Sequence, residues 1–413
     1  MRVVAGGAAE KRVRQLAARA SRLEEVEPQV RKIVADVRRN GDRALVKYAR
    51  KWDALQAGQP LRVAESEIRA AWKTASPELR SALQRAAANI RRFCEWQKPS
   101  EWIKKAGGIS LGQLVRPLES VGCYVPGGRY PLPSTLLMTV IPAQVAGVRR
   151  ICVVSPNPRP ETLAAAALLG VSEFYRAGGA HAIAALAYGT QSIPRVDKIV
   201  GPGNVYVTTA KKLVAFDCAI DFLAGPTEVV IVAEGGEAAF IAADLVAQAE
   251  HDPEALAVFI TSSPTLAERV ATSARETARC NAIARQSLAA NGVALVAASH
   301  AQALQWANRI APEHITVARE DVPAIRSAGS VFVGDYSPQA VGDYASGPNH
   351  VLPTAGAARY RGGLSVLDFV KLITVQELSP AALRRIVPVV ASLAEAEGLQ
   401  AHAESVRVRC AHA

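Results

Sequence analysis

The chain has 413 residues, half of them hydrophobic, which is enough to bury more than one core and to divide into two or more domains. Its formal charge of +11 is spread over N-terminal helices without interleaved aromatics, which argues against a nucleic-acid-binding module. The six cysteines are scattered with no CxxC pair, which argues against a cysteine zinc site and indicates a reducing compartment.

Residues 16–97 are predicted to form helices with charged outer faces. From Gly122 onward short apolar strands are each followed by a helix, and a second series of this kind begins at Glu228. Strands that alternate with helices are typical of parallel sheets joined by right-handed crossovers, so the predicted fold class is α/β with two units. Beyond Asp368 the chain is predicted to be helical, with one or two helices over 380–409.

Each predicted strand is a short apolar run. The first series comprises CYVP (123–126), ICVVS (151–155), FYRAGG (174–179) and KIVGPGN (198–204). The second comprises EVVIVA (228–233), LAVFIT (256–261), GVALVA (292–297), HITV (314–317) and SVFV (330–333).

Glycine-rich turns follow strands of the first series, although no GxGxxG fingerprint is present. They are YVPGG (124–128), AGG (177–179) and GPGN (201–204). Glycine lets the backbone approach a ligand closely, and a helix start offers free amides to phosphate. The alternative is that these glycines serve only to form the turns between strands and helices. Three such turns in one unit favour a ligand without identifying it.

The segment DLVAQAEHDP (244–253) is the most informative one in the chain. A helix is predicted over about 236–250, and Gln248 and His251 are three residues apart, so they share a face at its end. An amide oxygen and an imidazole nitrogen then project together, as half of a metal site. Two side chains that merely cap a helix end are the alternative.

Histidines in polar, turn-rich segments support the metal interpretation. They are His251, His314, His350 and His402. Histidines placed for packing would be expected in apolar runs. His300 and His412 have no such setting and are interpreted as ordinary surface residues.

Six ordered segments resemble the histidinol dehydrogenase family, and the similarity extends over essentially the whole chain. They are VGCYVPGGRYPLPSTLLMTVIPAQVAGV (121–148), DKIVGPGNVYVTTAKK (197–212), DFLAGPTEVVIVA (221–233), DLVAQAEHDP (244–253), APEHITV (311–317) and VGDYASGPNHVLPTAGAARYRGGLSVLDFVK (341–371). The resemblance implies a zinc-dependent, NAD-linked, four-electron oxidation of L-histidinol to L-histidine through L-histidinaldehyde, the last step of histidine biosynthesis. It also implies a homodimer whose C-terminal helices swap between subunits.

The resemblance implies roles for individual residues by their position in these motifs. The zinc ligands would be Gln248, His251, Asp343 and His402, with His402 reaching in from the partner subunit. Glu313 and His314 match the catalytic acid–base pair. The substrate-binding set would comprise Thr227, Gln248, His251, His314, Asp343, His350, Glu397 and His402, and Tyr124 and Asn204 would contact NAD.

Three positions depart from the commonest family pattern. Thr227 is often serine, which keeps the hydroxyl. His181 replaces a glutamine expected to touch NAD, and Gln339 replaces a glutamate often found shortly before GDY. None of the three is a predicted metal ligand or a member of the acid–base pair.

The expected architecture is two Rossmann-like parallel-sheet domains lacking GxGxxG, with small helical N- and C-terminal elements, in a domain-swapped homodimer. Residues 1–20 with 365–390 would form a small dimerisation region. Residues 21–121 with 229–364 would form the α/β domain that carries the metal and acid–base residues. Residues 122–228 would form the α/β domain on the NAD side, and 391–413 a helical tail that reaches the partner subunit.

The residue types suit the implied chemistry. Two imidazoles with carboxylate and amide oxygens suit zinc, and with only Asp343 anionic the ion could still attract the imidazole and amine of histidinol. The metal would therefore anchor the substrate. His314 is the candidate base for the hydroxyl proton, and Glu313 is placed to activate the water that hydrates the aldehyde. Neighbours in a regular strand point to opposite faces, so their convergence requires the turn at Pro312.

Other functions remain open at this point. A dehydrogenase of the same fold could act on another small polar alcohol, and a zinc hydrolase could use Glu313 to activate water. A hydrolase leaves the glycine-rich turns unexplained, and a non-enzymatic basic binding protein has no use for the metal and acid–base residues. No signal segment is visible, and the most apolar stretch, 132–148, is interrupted by Pro133 and Pro142. We therefore expect a cytoplasmic enzyme with no membrane or nucleic-acid partner.

Overall fold

The computed structural model describes residues 1–19, 23–127 and 130–411, so Gly128 of the predicted YVPGG turn and His412 lie outside the described residues. The strands are β1 (Arg2–Ala5), β2 (Trp102–Ala106), β3 (Ile109–Pro117), β4 (Ser120–Tyr124), β5 (Arg150–Val154), β6 (Glu173–Tyr175), β7 (Lys198–Val200), β8 (Ala219–Ile220), β9 (Glu228–Val232), β10 (Leu256–Thr261), β11 (Val293–Val296), β12 (His314–Val317), β13 (Ser330–Val333) and β14 (Val370–Leu378). The α-helices are α1 (Gly6–Ala17), α2 (Leu23–Asn40), α3 (Asp42–Trp52), α4 (Glu65–Thr74), α5 (Pro77–Gln97), α6 (Pro133–Ala146), α7 (Pro160–Leu168), α8 (Gly179–Tyr188), α9 (Val205–Val214), α10 (Ala238–Ala249), α11 (Pro264–Thr277), α12 (Ala282–Ala290), α13 (His300–Ile310), α14 (Gln339–Tyr344), α15 (Pro380–Ala396) and α16 (Gln400–Ala411). Within the described ranges, every helix is too short or too polar to traverse a lipid bilayer.

A six-stranded parallel sheet has the order β1-β11-β10-β9-β12-β13. β9 and β10 are buried along their whole length, as their unbroken apolar runs predict, because helices cover both faces of such a sheet. From β9 the sheet extends through β10 to β11 on one side. The chain then returns, and β12 and β13 are added on the other side of β9. β9 and β12 are therefore neighbours although they lie far apart in the sequence. The five predicted strands of this series are confirmed.

A five-stranded parallel sheet has the order β6-β5-β4-β7-β8 and the same pattern of growth. Here the chain reverses between β4 and β7, so the end of β4 at Tyr124 lies beside the GPGN loop that follows β7. Gly201 in that loop has a φ of +116°, and a Cβ there would lie 2.1 Å from the Tyr124 carbonyl oxygen. Glycine is therefore required for the loop to pack against the end of β4.

The N-terminal helices cover the five-stranded sheet. α2 packs on α8 and α9, α4 packs on α7, and α5 packs on α6. Val37 of α2 shares a buried core with Ile183 of α8, and Ile90 of α5 shares another with Leu137 of α6. This packing corrects the predicted grouping of 21–121 with 229–364, because the apolar faces of these helices are buried on the other sheet.

The first residues of the chain belong to the six-stranded sheet. β1 pairs with β11 at the sheet edge, and α1 packs on α13. Val13 of α1 and Ile310 of α13 are fully buried in one core with Val258 of β10. Residues 2–17 therefore do not join 365–390 as predicted, because their apolar side chains complete this core.

A third, antiparallel sheet has the order β14-β3-β2. β14 pairs with β3 over its whole length, from Val370 opposite Pro117 to Leu378 opposite Ile109. The predicted helix directly after Asp368 is therefore wrong. The segment VKLITVQEL is rich in β-branched residues and pairs with a strand far away in the sequence, which a local pattern does not reveal.

The chain ends in a helical hairpin of α15 and α16, which pack against each other. The backbone nitrogen of Ser379 donates to the carbonyl of Gly108 at 3.0 Å, so the start of α15 is anchored on the turn between β2 and β3. Large apolar side chains are exposed on the antiparallel sheet and on this hairpin. They are Trp102, Ile103, Leu111, Leu372, Ile373, Val389, Leu393 and Leu399.

His300 is more than the surface residue that the sequence predicts. Its Nε2 lies 2.7 Å from Asp321 Oδ1, and its Nδ1 lies 3.1 Å from Glu234 Oε1. The hydrogen bond to Asp321 raises the pKa of His300, burial opposes this shift, and the hydrogen bond to Glu234 adds to it. The imidazole thus joins the loops that follow β9 and β12.

We expect the stabilisation by His300 to depend on pH. Because its folded-state pKa lies above its unfolded value of about 6.5, the stabilisation is complete below that pH and is lost as the pH rises through the folded pKa. The melting temperature of the wild type should therefore exceed that of a His300→Gln variant by more at about pH 6 than at about pH 9. Thermal unfolding of both proteins measures this difference. A gap that stays constant with pH would contradict the prediction.

Candidate active site

The adjacent amino ends of β9 and β12 bring the predicted acid–base residues together. Glu313 Oε2 accepts hydrogen bonds from Thr227 Oγ1 at 2.6 Å and from the backbone nitrogen of Glu228 at 2.8 Å. His314 Nδ1 donates to the carbonyl of Glu228 at 3.1 Å. The main chain of one residue, Glu228, therefore contacts both side chains.

Glu313 and His314 converge although they are neighbours in the sequence. His314 is the first residue of β12, and Glu313 still lies in the turn that precedes it. Ala311 in this turn has a φ of +52°, and Pro312 follows. The chain thus changes direction just before the strand, and His314 Nδ1 lies 3.6 Å from Glu313 Oε2.

Burial and charge shift the pKa values of this pair. Glu313 is 7 % exposed and His314 is 3 % exposed. Burial raises the pKa of Glu313 to about 7, although His314 and Thr227 oppose the shift. Burial lowers the pKa of His314, but Glu313 and Asp343 outweigh it and raise the pKa to about 9. Since Glu313 Oε2 takes both hydrogen bonds, Oε1 is left to accept a proton.

Two of the predicted metal ligands, Gln248 and Asp343, lie beside this pair, and His251 is close enough to Asp343 to influence its pKa. Gln248, buried at the end of α10, donates its amide nitrogen to Thr227 Oγ1, which leaves its amide oxygen unused. Asp343 Oδ1 in α14 lies 3.6 Å from His314 Nε2. Burial would raise the pKa of Asp343, but His314 and the nearby imidazoles, including exposed His251, lower it.

His350 supports Asp343 from the other side. Its Nδ1 donates to the Asp343 carbonyl at 2.7 Å, so its Nε2 accepts from Thr135 Oγ1, 3.4 Å away. Burial lowers the pKa of His350, which favours the neutral imidazole. Thr135 lies in α6, so His350 links the site to the five-stranded sheet.

The predicted tail residues lie elsewhere in this chain. Glu397 and His402 are exposed on the hairpin of α15 and α16. Across the described parts of the chain, no three His, Cys, Asp or Glu side chains form a cluster that could hold a metal ion. Of the predicted ligands of these types, the body of the chain supplies only His251 and Asp343.

The departure at Gln339 lies against β12, the strand that begins at His314. Gln339 is the first residue of α14, and its amide nitrogen donates to Thr316 Oγ1 at 2.5 Å. Its side chain is buried, and within the described residues its Oε1 has no hydrogen-bond partner. An amide here leaves β12 without a further negative charge beside it.

The predicted NAD contacts line a cavity of about 370 Å³ at the carboxyl ends of β4 and β7. Tyr124, Asn204 and His181 all contribute to its wall. The Tyr124 hydroxyl accepts from the backbone nitrogen of Gly179 at 3.1 Å, and burial raises its pKa, so it stays protonated. Asn204 Oδ1 caps α9, which leaves the amide nitrogen for a ligand. A second cavity of about 230 Å³ shares the Trp52 wall.

Asp53 is a cavity residue for which the sequence patterns predict no role. His181 Nε2 lies 2.7 Å from Asp53 Oδ2, which also accepts from the backbone nitrogen of Gly178 at 2.8 Å. Both side chains are buried, and His181 Nδ1 has no hydrogen-bond partner among the described residues. An aspartate after a charged helix resembles a surface residue, so no sequence signal identifies it.

A buried ion pair that the sequence patterns also miss holds the GPGN loop. The ammonium group of Lys211 contacts Asp221, and it donates to the carbonyl of Gly201 at 3.0 Å. Asp221 Oδ2 accepts from the backbone nitrogen of Gly201 at 2.8 Å. The pair therefore binds both polar groups of the glycine that packs on Tyr124. A lysine in a helix ordinarily indicates an exposed position.

Comparisons with known proteins agree on one family. The family model described as histidinol dehydrogenase matches residues 16–410. The histidinol dehydrogenase of Geobacter sulfurreducens is 47% identical over 400 residues, which are 93% of this chain and 93% of that protein. The histidinol dehydrogenase of Methanocaldococcus jannaschii is 46% identical over 403 residues, which are 94% of this chain and 93% of that protein.

Solved structures extend the comparison. The crystal structure of histidinol dehydrogenase from Elizabethkingia anophelis matches with a TM-score of 0.94 and 37% identity, over 99% of this chain and 98% of that one. An acetylating aldehyde dehydrogenase from Geobacillus thermoglucosidasius matches with a TM-score of 0.51 and 12% identity, over 90% of this chain and 97% of that one. The second likeness concerns the fold alone.

Proposed function

Because this chain belongs to the histidinol dehydrogenase family, as its motifs predict, we propose how its own residues oxidise L-histidinol to L-histidine. The family assignment makes it an oxidoreductase of histidine biosynthesis. The proposal is carried by one observation, the buried Glu313–His314 pair that shares the backbone of Glu228 and faces Asp343. A cytoplasmic location stays a prediction from the scattered cysteines.

His314 takes the hydroxyl proton in this proposal. Its Nδ1 donates to the Glu228 carbonyl, so Nε2 is the nitrogen that faces Asp343 and can exchange a proton with the substrate. Glu313 and Asp343 together raise its pKa. A cation held by Asp343 would remove part of that attraction, and the pKa of His314 would fall toward the range of a useful base.

Glu313 activates water for the second oxidation. An aldehyde must be hydrated before it can lose a second hydride, and a base has to take a proton from the attacking water. The Glu313 carboxylate is fixed through Oε2 by two hydrogen bonds, which leaves Oε1 for that proton. Its raised pKa makes it a stronger base than an exposed carboxylate.

Gln248, His251 and Asp343 fit a zinc ion, together with the partner subunit's His402. The amide oxygen of Gln248 is left over because its nitrogen is bonded to Thr227, and the other groups supply nitrogen and oxygen donors of the types zinc binds. When bound, zinc would supply a positive anchor for the imidazole and amine nitrogens of histidinol. His350 and the partner subunit's Glu397 would complete the substrate pocket.

A homodimer would place the tail at that site. His402 is exposed on the hairpin of α15 and α16, and no hydrogen bond or ion pair among the described residues joins it to the site. Apolar side chains on the hairpin and the antiparallel sheet, such as Ile103 and Leu393, are exposed in the single chain. Their burial against a second copy would supply the driving force for association.

NAD is proposed to bind at the carboxyl ends of the five-stranded sheet. The order β6-β5-β4-β7-β8 reverses between β4 and β7, and ligands of open parallel sheets bind where the strand order reverses. Tyr124 and Asn204 line the cavity at this place. Bound NAD would accept the hydride from the substrate carbon.

One assay tests the proposed function. We expect the purified protein, incubated with L-histidinol and NAD, to form about two NADH for each L-histidine, since each oxidation transfers one hydride. Absorbance counts the NADH, and amino-acid analysis counts the product. NADH formed without any L-histidine, with one NADH for each L-histidinol consumed, would indicate an alcohol dehydrogenase that stops at the aldehyde. If no NADH forms from L-histidinol, the dehydrogenase proposal fails and the zinc hydrolase becomes the alternative.

A further inference from the structure

Arg19, which follows α1, forms an ion pair with Glu228 directly behind the acid–base pair. Its Nε donates to Glu228 Oε1 at 2.5 Å, and a terminal nitrogen donates to Oε2. The remaining contacts go to backbone carbonyls, those of Leu16 at 2.6 Å, Ile310 at 2.7 Å and Ala311 at 3.3 Å. The side chains of Arg19 and Glu228 are 16% and 5% exposed. The planar guanidinium thus engages a carboxylate and three carbonyls at once, which an ammonium group cannot do.

Two alanines in the left-handed backbone conformation are bonded to this ion pair. Ala311 has a φ of +52°, and its carbonyl accepts from Arg19. Ala355 also has a φ of +52°, and its backbone nitrogen donates to Glu228 Oε1 at 2.9 Å. This conformation is unfavourable for alanine because its Cβ approaches a carbonyl oxygen, so it persists only where the surroundings hold it. The ion pair supplies contacts that hold it at both places.

Ala311 and Glu228, the two residues that Arg19 contacts here, both adjoin the acid–base pair. Ala311 is separated from Glu313 by Pro312 alone, so its conformation decides the direction in which the chain enters β12. Glu228, whose side chain Arg19 holds, binds Glu313 through its backbone nitrogen and His314 through its carbonyl.

We infer that Arg19 is a positioning residue, which sets the orientation of Glu313 and His314 through Glu228 and Ala311. This inference rests on the acid–base roles proposed above. It extends the active site to the segment after α1, which touches no reacting group. Catalysis is sensitive to such placement because small displacements of a reacting group lower the rate steeply.

Arg19→Lys tests this inference, since it keeps a positive charge for Glu228 and loses the planar set of donors. We expect kcat for histidinol oxidation to fall at least about tenfold, with both KM values within about twofold of the wild type. Arg69→Met is the matched control, because Arg69 forms an exposed ion pair with Glu65 on α4 and should keep the wild-type kcat. Adding Ala311→Gly to Arg19→Lys should recover at least about threefold in kcat, because glycine adopts the left-handed conformation without being held.

A wild-type kcat in Arg19→Lys, or a loss confined to KM, would overturn the inference. If Arg19→Lys does not fold, Glu228→Gln carries the same comparison of kcat with KM. If the wild type itself forms no NADH from histidinol, the proposed function fails, and amide hydrogen exchange over residues 310–316 decides the inference. Faster exchange there in Arg19→Lys, with wild-type exchange in Arg69→Met, supports positioning by Arg19. Equal exchange in all three proteins overturns it.

Discussion

Replacing Glu313 with glutamine is expected to slow the oxidation of L-histidinaldehyde by about 10²–10⁴-fold and the oxidation of L-histidinol by about tenfold or less. The amide oxygen of a glutamine can still accept the hydrogen bonds from Thr227 and Glu228, so the geometry around His314 persists. What the variant loses is the base that takes a proton from water. In the proposed mechanism only the second oxidation needs that base, because His314 deprotonates the alcohol.

The two half-reactions can be measured separately by supplying either the alcohol or the aldehyde with NAD and recording NADH formation. Glu268→Gln, on the exposed side of α11, is a matched control and should leave both rates unchanged. Equal losses in the two half-reactions would refute the division of labour between Glu313 and His314. A larger loss in alcohol oxidation than in aldehyde oxidation would assign the hydroxyl proton to Glu313 and the water to His314.

The second large effect is expected at the proposed zinc ligands. His251→Asn and His402→Ala should each lower zinc affinity by at least about 100-fold, since a direct ligand contributes more than the outer partners whose loss costs 10–100-fold. Histidinol affinity should fall with the zinc content, while NAD affinity is retained because Tyr124 and Asn204 lie at the other sheet. Zinc analysis and calorimetric titration with each ligand measure these effects.

Co-expressing these two variants tests whether each site is shared between subunits. A mixed dimer would contain one site with both defects and one with neither. After co-expression, about a quarter of the wild-type activity should therefore return. His300→Gln is the control substitution and should keep the wild-type zinc affinity. The His300 imidazole bridges Glu234 and Asp321, away from the site. A mixture that stays inactive, although zinc binds each variant as weakly as predicted, would place His402 outside the partner's site.

Much of the candidate site was predictable from local patterns. Gln248 and His251 lie at the end of α10, which covers residues 238–249 of the predicted 236–250. The turn before His314 was predictable from Pro312, because a proline at a strand start marks a change of direction. Periodicity and turn residues act over short stretches of chain, and such stretches are where these predictions agree with the structure.

The residues that hold the site in place were not predictable in this way. Arg19, Asp53 and Lys211 each contact a residue more than 100 positions away or a loop beyond their own helix, as Arg19 does at Glu228 and Asp53 does at His181. In a single sequence, charged residues near helix ends look like solvated surface positions. Their burial becomes visible only when the partner elements are in place.

Taken alone, the sequence determined the alternating strands and helices, the α/β class and the family, because these depend on local periodicity and on motifs. The tertiary structure decided that 23–97 cover the five-stranded sheet, that 370–378 form a strand, and that Glu313 and His314 share the backbone of Glu228. These features depend on pairings between distant segments, whose favourable contacts outweigh local preference only after the chain has folded.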